Sequence, residues 1–435
     1  MNPRRRLQEN IAALSILQLL CYIAPLLTVP YLVRVLKPPQ FGLLSFAQGV
    51  VLVFDLITDY GFNFTATRAI ASQRHDPYSI SRIFWSTLWA KAALMLGSGA
   101  VLMILVVFIP KLHETAALYG VSFLYVIGTA IFPVWFFQGL EQMKISAIAL
   151  GAARILTIPA LFLYVKHEQD YVIAAGIQAS VQVTATVFVA PILFRHMRLR
   201  WYRPSFADLT QAFKAGWPLF ASGSALYFCT SSATVVLGLV AGKTAVGYYS
   251  AAEKLVKACI SILSPVTQAL YPHIATAKET SIFSALQLIR KGFLSIGLLS
   301  LCASFTTLIL AAPICHIVLG PAFAPSVQVL RWLSPLPLLF GLMSVFGTQT
   351  MLVFEMDAVL CWVMLAGAAV GIPIIAVLSS FFGAVGTAAA VAILTAIIVL
   401  MMFFILRIHG LRIWRQSEQR NSDSLAATVS EHTEF

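Results

Sequence analysis

Charge is what this chain has least of. Only 11% of its 435 residues are Asp, Glu, Lys or Arg, whereas soluble domains carry about 25%. With 59% hydrophobic residues and a mean hydropathy of +0.86, that scarcity excludes the soluble globular classes and predicts a polytopic helical membrane protein. Cysteine is sparse and unpatterned. Six thiols (Cys21, Cys229, Cys259, Cys302, Cys315, Cys361) are scattered through apolar runs with no CxxC and no Cys/His spacing, so neither a disulfide framework nor a metal centre is indicated. Catalytic signatures are missing as well: there is no GxSxG, no HExxH and no carboxylate cluster with metal spacing. The lack of a P-loop excludes ATP hydrolysis by this chain and leaves a gradient-driven or passive carrier, with no cofactor expected beyond a coupling H+ or Na+.

The net charge of +12 would point to nucleic acid in a soluble protein, but here the placement of the charges accounts for it. Hydropathy predicts twelve spans, at about 11–33, 40–61, 83–109, 117–138, 147–165, 172–194, 216–241, 246–272, 293–312, 328–353, 359–379 and 385–406. The first run is too long for a signal-peptide core and lacks a small-residue cleavage site, so it reads as a retained span. With both termini inside, nineteen of the 29 Lys and Arg fall in inward connections and five in outward ones. The positive-inside rule supports that orientation. Outward loops are short, the longest being 313–327, and the polar tail 416–435 is expected to be disordered.

The two halves look related. Gly42-Leu43-Leu44-Ser45-Phe46-Ala47 opens span 2, and Gly247-Tyr248-Tyr249-Ser250-Ala251-Ala252 opens span 8, each after a loop lysine (Lys37, Lys243). Downstream, Ala69-Ile70-Ala71 and His273-Ile274-Ala275 fall at nearly the same offset. The expected division is a six-helix bundle over 1–200, a cytoplasmic linker over 201–215, a second bundle over 216–407, and a tail over 408–435. Parallel repeats of this kind recur in transporters that bind substrate between the halves near the midplane.

Five cations lie within the predicted spans: Lys91, Arg154, Lys254, Lys257 and, near an outer end, Arg331. Span 8 concentrates the signal, with Glu253, Lys254 and Lys257 roughly 10–17 Å from its first residue. Ionised groups at that depth cost about 2.5–3.5 kcal/mol each on insertion scales, so they should face protein or water. Glu253 and Lys257 have the favourable i,i+4 order for a pair, which leaves Lys254 as a surplus cation and a seat for an anion. The bland alternatives are snorkelling or neutralisation by an acid elsewhere. Asp55 and Asp59, one turn apart on span 2, are equally readable as counterions to Lys91 or as functional acids. Glu141, Glu355 and Asp357, at inner helix ends, read as ordinary interfacial charges.

Four stretches carry a family resemblance: Asp59-Tyr60-Gly61-Phe62-Asn63-Phe64-Thr65-Ala66-Thr67-Arg68, Trp135-Phe136-Phe137-Gln138-Gly139-Leu140-Glu141-Gln142-Met143, Val246 to Leu255, and Ala269-Leu270-Tyr271-Pro272. In matching order from about residue 10 to about residue 405, the chain resembles the Wzx-type O-antigen flippases of the polysaccharide transporter family. The resemblance implies an all-α membrane fold of two six-helix bundles, as in MATE exporters and lipid II flippases. It also implies movement of an undecaprenyl-diphosphate-linked oligosaccharide across the bacterial inner membrane, with membrane lipids and a downstream glycan polymerase as partners. Two departures stand out. Val134 replaces an acid often found before the fourth-span Trp, and Lys37-Pro38-Pro39 follows Arg34-Val35-Leu36 where the family often has Gly, a change expected to alter only an outer turn.

Joined to the charges, the resemblance gives a specific expectation. Lys254, Lys257, Arg154 and Lys91 would hold the diphosphate, Arg68 would attract it at the inner mouth, and Arg34 and Arg331 would lie near the exit. Asp55, Asp59 or Glu253 would carry the coupling ion. A drug exporter is the transport alternative, but it would want an acidic lumen. A membrane glycan polymerase or ligase is the enzyme alternative, but it would want a large outer loop.

Overall fold

The computed structural model describes residues 3–195 and 199–409 and is helical almost throughout. The tail expected to be disordered lies outside the described residues from 410 onward. Among the described residues, eight helical stretches are long and apolar enough to cross a membrane: Ala24–Ser72, Pro77–Phe108, Ala116–Gly139, Met143–Tyr164, Glu168–Phe194, Ile282–Ile309, Ser326–Leu352 and Asp357–Ile408. The chain is a multi-pass membrane protein. Between these stretches lie two helices, Phe206–Ser231 and Ala233–Ala241, and then the long Lys243–Thr280 helix. The predicted outer loop 313–327 is instead wound into short helical turns over 311–323.

Two of the long stretches are broken. The helix Pro3–Asp59 is interrupted at Lys37 (φ 58°, ψ 168°), immediately before Pro38 and Pro39, which lack the N–H groups needed to continue it. The Asp357–Ile408 helix is interrupted at Gly383, where the chain reverses. Ser379 Oγ meets Thr387 Oγ1 at 2.7 Å, and a Cβ on Gly371 would lie 3.1 Å from Leu394 Cδ1. These pairings step antiparallel away from the turn, as in a helical hairpin.

The sequence repeat has a geometric counterpart. A Cβ on Gly42 would overlap the Lys243 carbonyl, and one on Gly247 would overlap the Pro38 carbonyl. Each helix start therefore seats its glycine on the backbone of the other, four residues upstream of the matching glycine. Gly242 (φ 83°, ψ 178°) occupies the position equivalent to Lys37 and has nearly the same backbone conformation. Around this crossing one apolar core joins residues from both ends of the sequence, including Leu36, Phe41, Val246, Leu319, Phe323 and Leu330. Away from it, two separate cores form. One draws on residues between Ala66 and Leu199, the other on residues between Leu270 and Leu406.

The opposite ends of the helices repeat a second motif. Arg74 donates from Nε to the Gly139 carbonyl at 2.9 Å and pairs with Glu141 at 2.8 Å. Lys278 donates to the Val353 carbonyl at 2.7 Å and pairs with Glu355 at 2.9 Å. Glu141 (φ 57°) and Glu355 (φ 60°) both terminate their helices in the left-handed conformation, and the next N–H closes a six-residue loop (Gln142 to Phe137, Met356 to Met351, both 2.8 Å). These acids are helix-end fixtures, which fits the interfacial reading.

Within the expected linker 201–215 the chain is helical from Phe206 onward, as part of the Phe206–Ser231 helix. Ser205 and Asp208 form a capping box that starts the helix early. Asp208 also accepts from Arg82 Nε at 2.9 Å and from the Tyr202 hydroxyl at 2.8 Å. Burial alone would raise its carboxyl, but hydrogen bonds from Ser205, Arg82 and Tyr202 outweigh that and hold it well below the usual carboxylate range. Nearby, Tyr60 stacks on Phe220 with ring centroids 4.8 Å apart.

Candidate functional site

The Lys243–Thr280 helix directs Lys254, Lys257, Ala258 and Ser261 into a cavity of about 450 Å³. Residues 24–32 form a second wall, Arg154, Thr157, Ile158 and Leu161 of the Met143–Tyr164 helix a third, and Gln178, Val181 and Gln182 a fourth. The wall is fixed at one end where the Tyr31 hydroxyl donates to the Val165 carbonyl at 2.6 Å and the Tyr31 ring lies 4.3 Å from that of Phe162.

The charges inside are unequal. Lys257 pairs with Glu253 at 2.9 Å, one helical turn back, as its spacing predicts. Lys254 faces the Phe41 ring, with Nζ 4.8 Å from its centroid, rather than a carboxylate. Among the described residues no carboxylate forms an ion pair with Lys254 or Arg154. Three cations thus line the cavity, and among the described residues two of them form no ion pair with a carboxylate. Arg supplies a planar fork and Lys a point charge, the pair of groups that suits a phosphate-rich anion.

Asp55 and Asp59 line a separate cavity of about 360 Å³ with Asn63, Thr129, Gln182 and Tyr227. Here Lys91 is only 2% exposed and donates to Asp59 at 2.9 Å and to Asn63 at 3.1 Å. Lys91 therefore sits as the counterion of Asp59 and does not join Arg154 and Lys254 at their wall. Asp55 instead accepts a hydrogen bond from the Thr129 hydroxyl.

The remaining expected site residues lie elsewhere. Arg68 is exposed on the Phe62–Ser72 helix. Arg34 is exposed and donates to the Ile317 carbonyl beside the helix crossing, while Arg331 is exposed on the Ser326–Leu333 helix. Neutral polar residues were missed by charge-based reasoning. Gln48, Tyr125, Gln178 and Gln182 line the cationic cavity, and Gln48 Nε2 donates to Gln178 Oε1 at 2.9 Å. A signal for them existed, since Gln178 and Gln182 stand one turn apart in an otherwise apolar span.

A multi-pass helical chain whose internally related segments cross at one end and enclose a polar cavity defines a membrane carrier, and comparison with known proteins agrees. The chain belongs to the polysaccharide biosynthesis protein family, whose profile matches residues 7–278. A protein of Escherichia coli (strain K12) named "Putative O-antigen transporter" is 29% identical over 92% of this chain and 97% of its own length. One of the same name from Shigella dysenteriae is 26% identical over 91% and 99%. The fold is shared with the lipid II flippase MurJ in an inward closed conformation (TM-score 0.71, 14% identity, 92% of this chain and 87% of that one). It is shared too with an inward-facing multidrug MATE transporter of the MOP superfamily (TM-score 0.67, 12% identity, 92% and 99%). The curated relatives are named as transporters and not as enzymes, in line with the non-enzymatic expectation.

Proposed function

We propose that the protein flips an undecaprenyl-diphosphate-linked oligosaccharide across the bacterial inner membrane by alternating access, supplying a downstream glycan polymerase. The observation that carries this reading is the cavity in which Arg154 and Lys254 lack carboxylate partners. Their charge suits the diphosphate, with Lys257 held ready by Glu253, while the polyprenyl chain stays in lipid. Exposed Arg68 steers the anion at the inner mouth, and Arg34 and Arg331 act near the outer exit. Lys91 is assigned to Asp59, not to substrate.

Twelve spans follow if the two broken stretches each cross twice and the helices at 206–241 and 243–280 cross once each. Both termini are then cytoplasmic, consistent with the inward bias of Lys and Arg, and the two bundles of about 1–200 and 216–407 rock about the crossing. Asp55, which no ion pair engages among the described residues, is the favoured carrier of a coupling H+ or Na+.

The test is flipping of a fluorescent undecaprenyl-diphosphate oligosaccharide in proteoliposomes. Lys254→Ala should abolish it while leaving insertion intact, and Glu253→Gln should retain anion binding. Wild-type rates in Lys254→Ala would sink the anion seat. Export of a cationic dye with no flipping would favour the drug-exporter reading instead, which the surplus of cations opposes.

A further inference from the structure

The cationic cavity does not end at its charges. It shares Gln48, Tyr125 and Gln178 with a smaller cavity of about 220 Å³, comparable to a single monosaccharide ring. Two polar atoms there are unmatched. Because Gln178 Oε1 accepts from Gln48, its Nε2 is left buried with no protein partner. Ser122, only 4% exposed, has a buried Oγ that is equally alone. Native proteins rarely leave such groups unpaired, and two in one small cavity mark where a ligand brings polar atoms of its own. The other side of the cavity is small and apolar, formed in part by Ala175 and Ala179.

We propose that this pocket reads the sugar nearest the diphosphate and takes an acetamido group on it. The acetamido carbonyl accepts from Gln178 Nε2, its N–H donates to Ser122 Oγ, and its methyl rests against Ala175 and Ala179. A hydroxyl in the same place leaves the amide donor or the apolar wall without a counterpart. The inference rests on the lipid-diphosphate reading above, and it adds that selection begins at the first sugar, inside the membrane, before the rest of the glycan is read.

The experiment uses the full chain in nanodiscs and measures binding of three lipids. These are undecaprenyl diphosphate alone, the same lipid bearing N-acetylglucosamine, and the same lipid bearing glucose. Wild type should prefer the acetamido sugar by about tenfold, the affinity that roughly one net hydrogen bond contributes. Gln178→Leu should bring that ratio close to one, read as the preference between the two sugars because Gln178 also borders the cationic cavity. Ser122→Ala, which removes a single oxygen, should lower the ratio in the same direction and guards against misfolding of the first variant. Ala179→Leu should weaken both sugars relative to the bare lipid by filling the cavity. Equal binding of the two sugars by wild type, or an undiminished preference in Ser122→Ala and Gln178→Leu, overturns the pocket assignment while the cationic seat stands. Failure of the bare diphosphate to bind wild type overturns the seat itself.

Discussion

Replacing Lys37 by glycine should stabilise this protein. Its backbone, at φ 58° and ψ 168°, lies in a region populated almost solely by glycine, where a residue with a Cβ carries about 1–3 kcal/mol of strain. The equivalent position in the second half of the chain is already Gly242, at φ 83° and ψ 178°. Glycine at 37 relieves the strain but adds unfolded-chain entropy of about 0.4–1 kcal/mol, which leaves a net gain of about 0.5–2 kcal/mol. The mirror substitution, Gly242→Ala, should cost by the same balance about 0.5–2 kcal/mol. The assay is unfolding of both variants in mixed micelles, compared with wild type under identical lipid. A Lys37→Gly variant less stable than wild type, or a Gly242→Ala variant of unchanged stability, would refute the argument. Either result would mean that the turn before Pro38 relaxes without consequence.

Other consequences follow from the same contacts. Gly42→Ala and Gly247→Ala each force the two helix starts apart and should each destabilise by about 1–3 kcal/mol. One displacement relieves both overlaps, so the double variant should fall short of the sum by at least about 0.5 kcal/mol; strict additivity in double-mutant unfolding would contradict this. Lys91→Met strands Asp59 and should cost about 3 kcal/mol, the low end for a broken buried pair because Asp59 retains 30% exposure. Lys91→Met/Asp59→Leu should recover most of that loss, and a double variant no better than the single would speak against the counterion role. Asp208 is held below its usual range, so its contribution is complete above about pH 4 and disappears as the pH falls through its depressed value. Melting curves between pH 7 and pH 3 should therefore fall more steeply for wild type than for Asp208→Asn; parallel curves would exclude the linkage.

What the sequence disclosed depended on how far apart the partners lie. The Glu253–Lys257 pair is local, one turn along a single helix, so spacing alone was enough. Whether Lys91 served substrate or Asp59 turned on how two helices pack, which periodicity does not report. The repeat was visible in Gly42 and Gly247 because those glycines cannot tolerate a side chain at the crossing. Its second motif was hidden by a change of register. Lys278 follows Arg74 by 204 residues, whereas Glu355 follows Glu141 by 214, and the extra turns at 311–323 fall between. The glutamines and Tyr125 carry no charge and so escape a reading built on ionised groups, although burial makes the unmatched Nε2 of Gln178 informative. Lys37 was visible as a departure from the family, but its effect was expected to be confined to a surface turn. The backbone angles show a conformational cost instead.

The aromatic and aliphatic packing around Phe41, Phe323 and Leu36, all fully buried, has an electrical consequence. Lys254 lies against the Phe41 ring, so the polar cavity stops at a plug with no charged group among those three side chains. A cavity closed in this way is a vessel rather than a conduit. Those three side chains offer a proton or a small ion no polar group to pass to, so leakage across them is opposed by the cost of placing charge in an apolar environment. A cell that lives on its membrane potential can hold many copies of such a protein without short-circuiting itself.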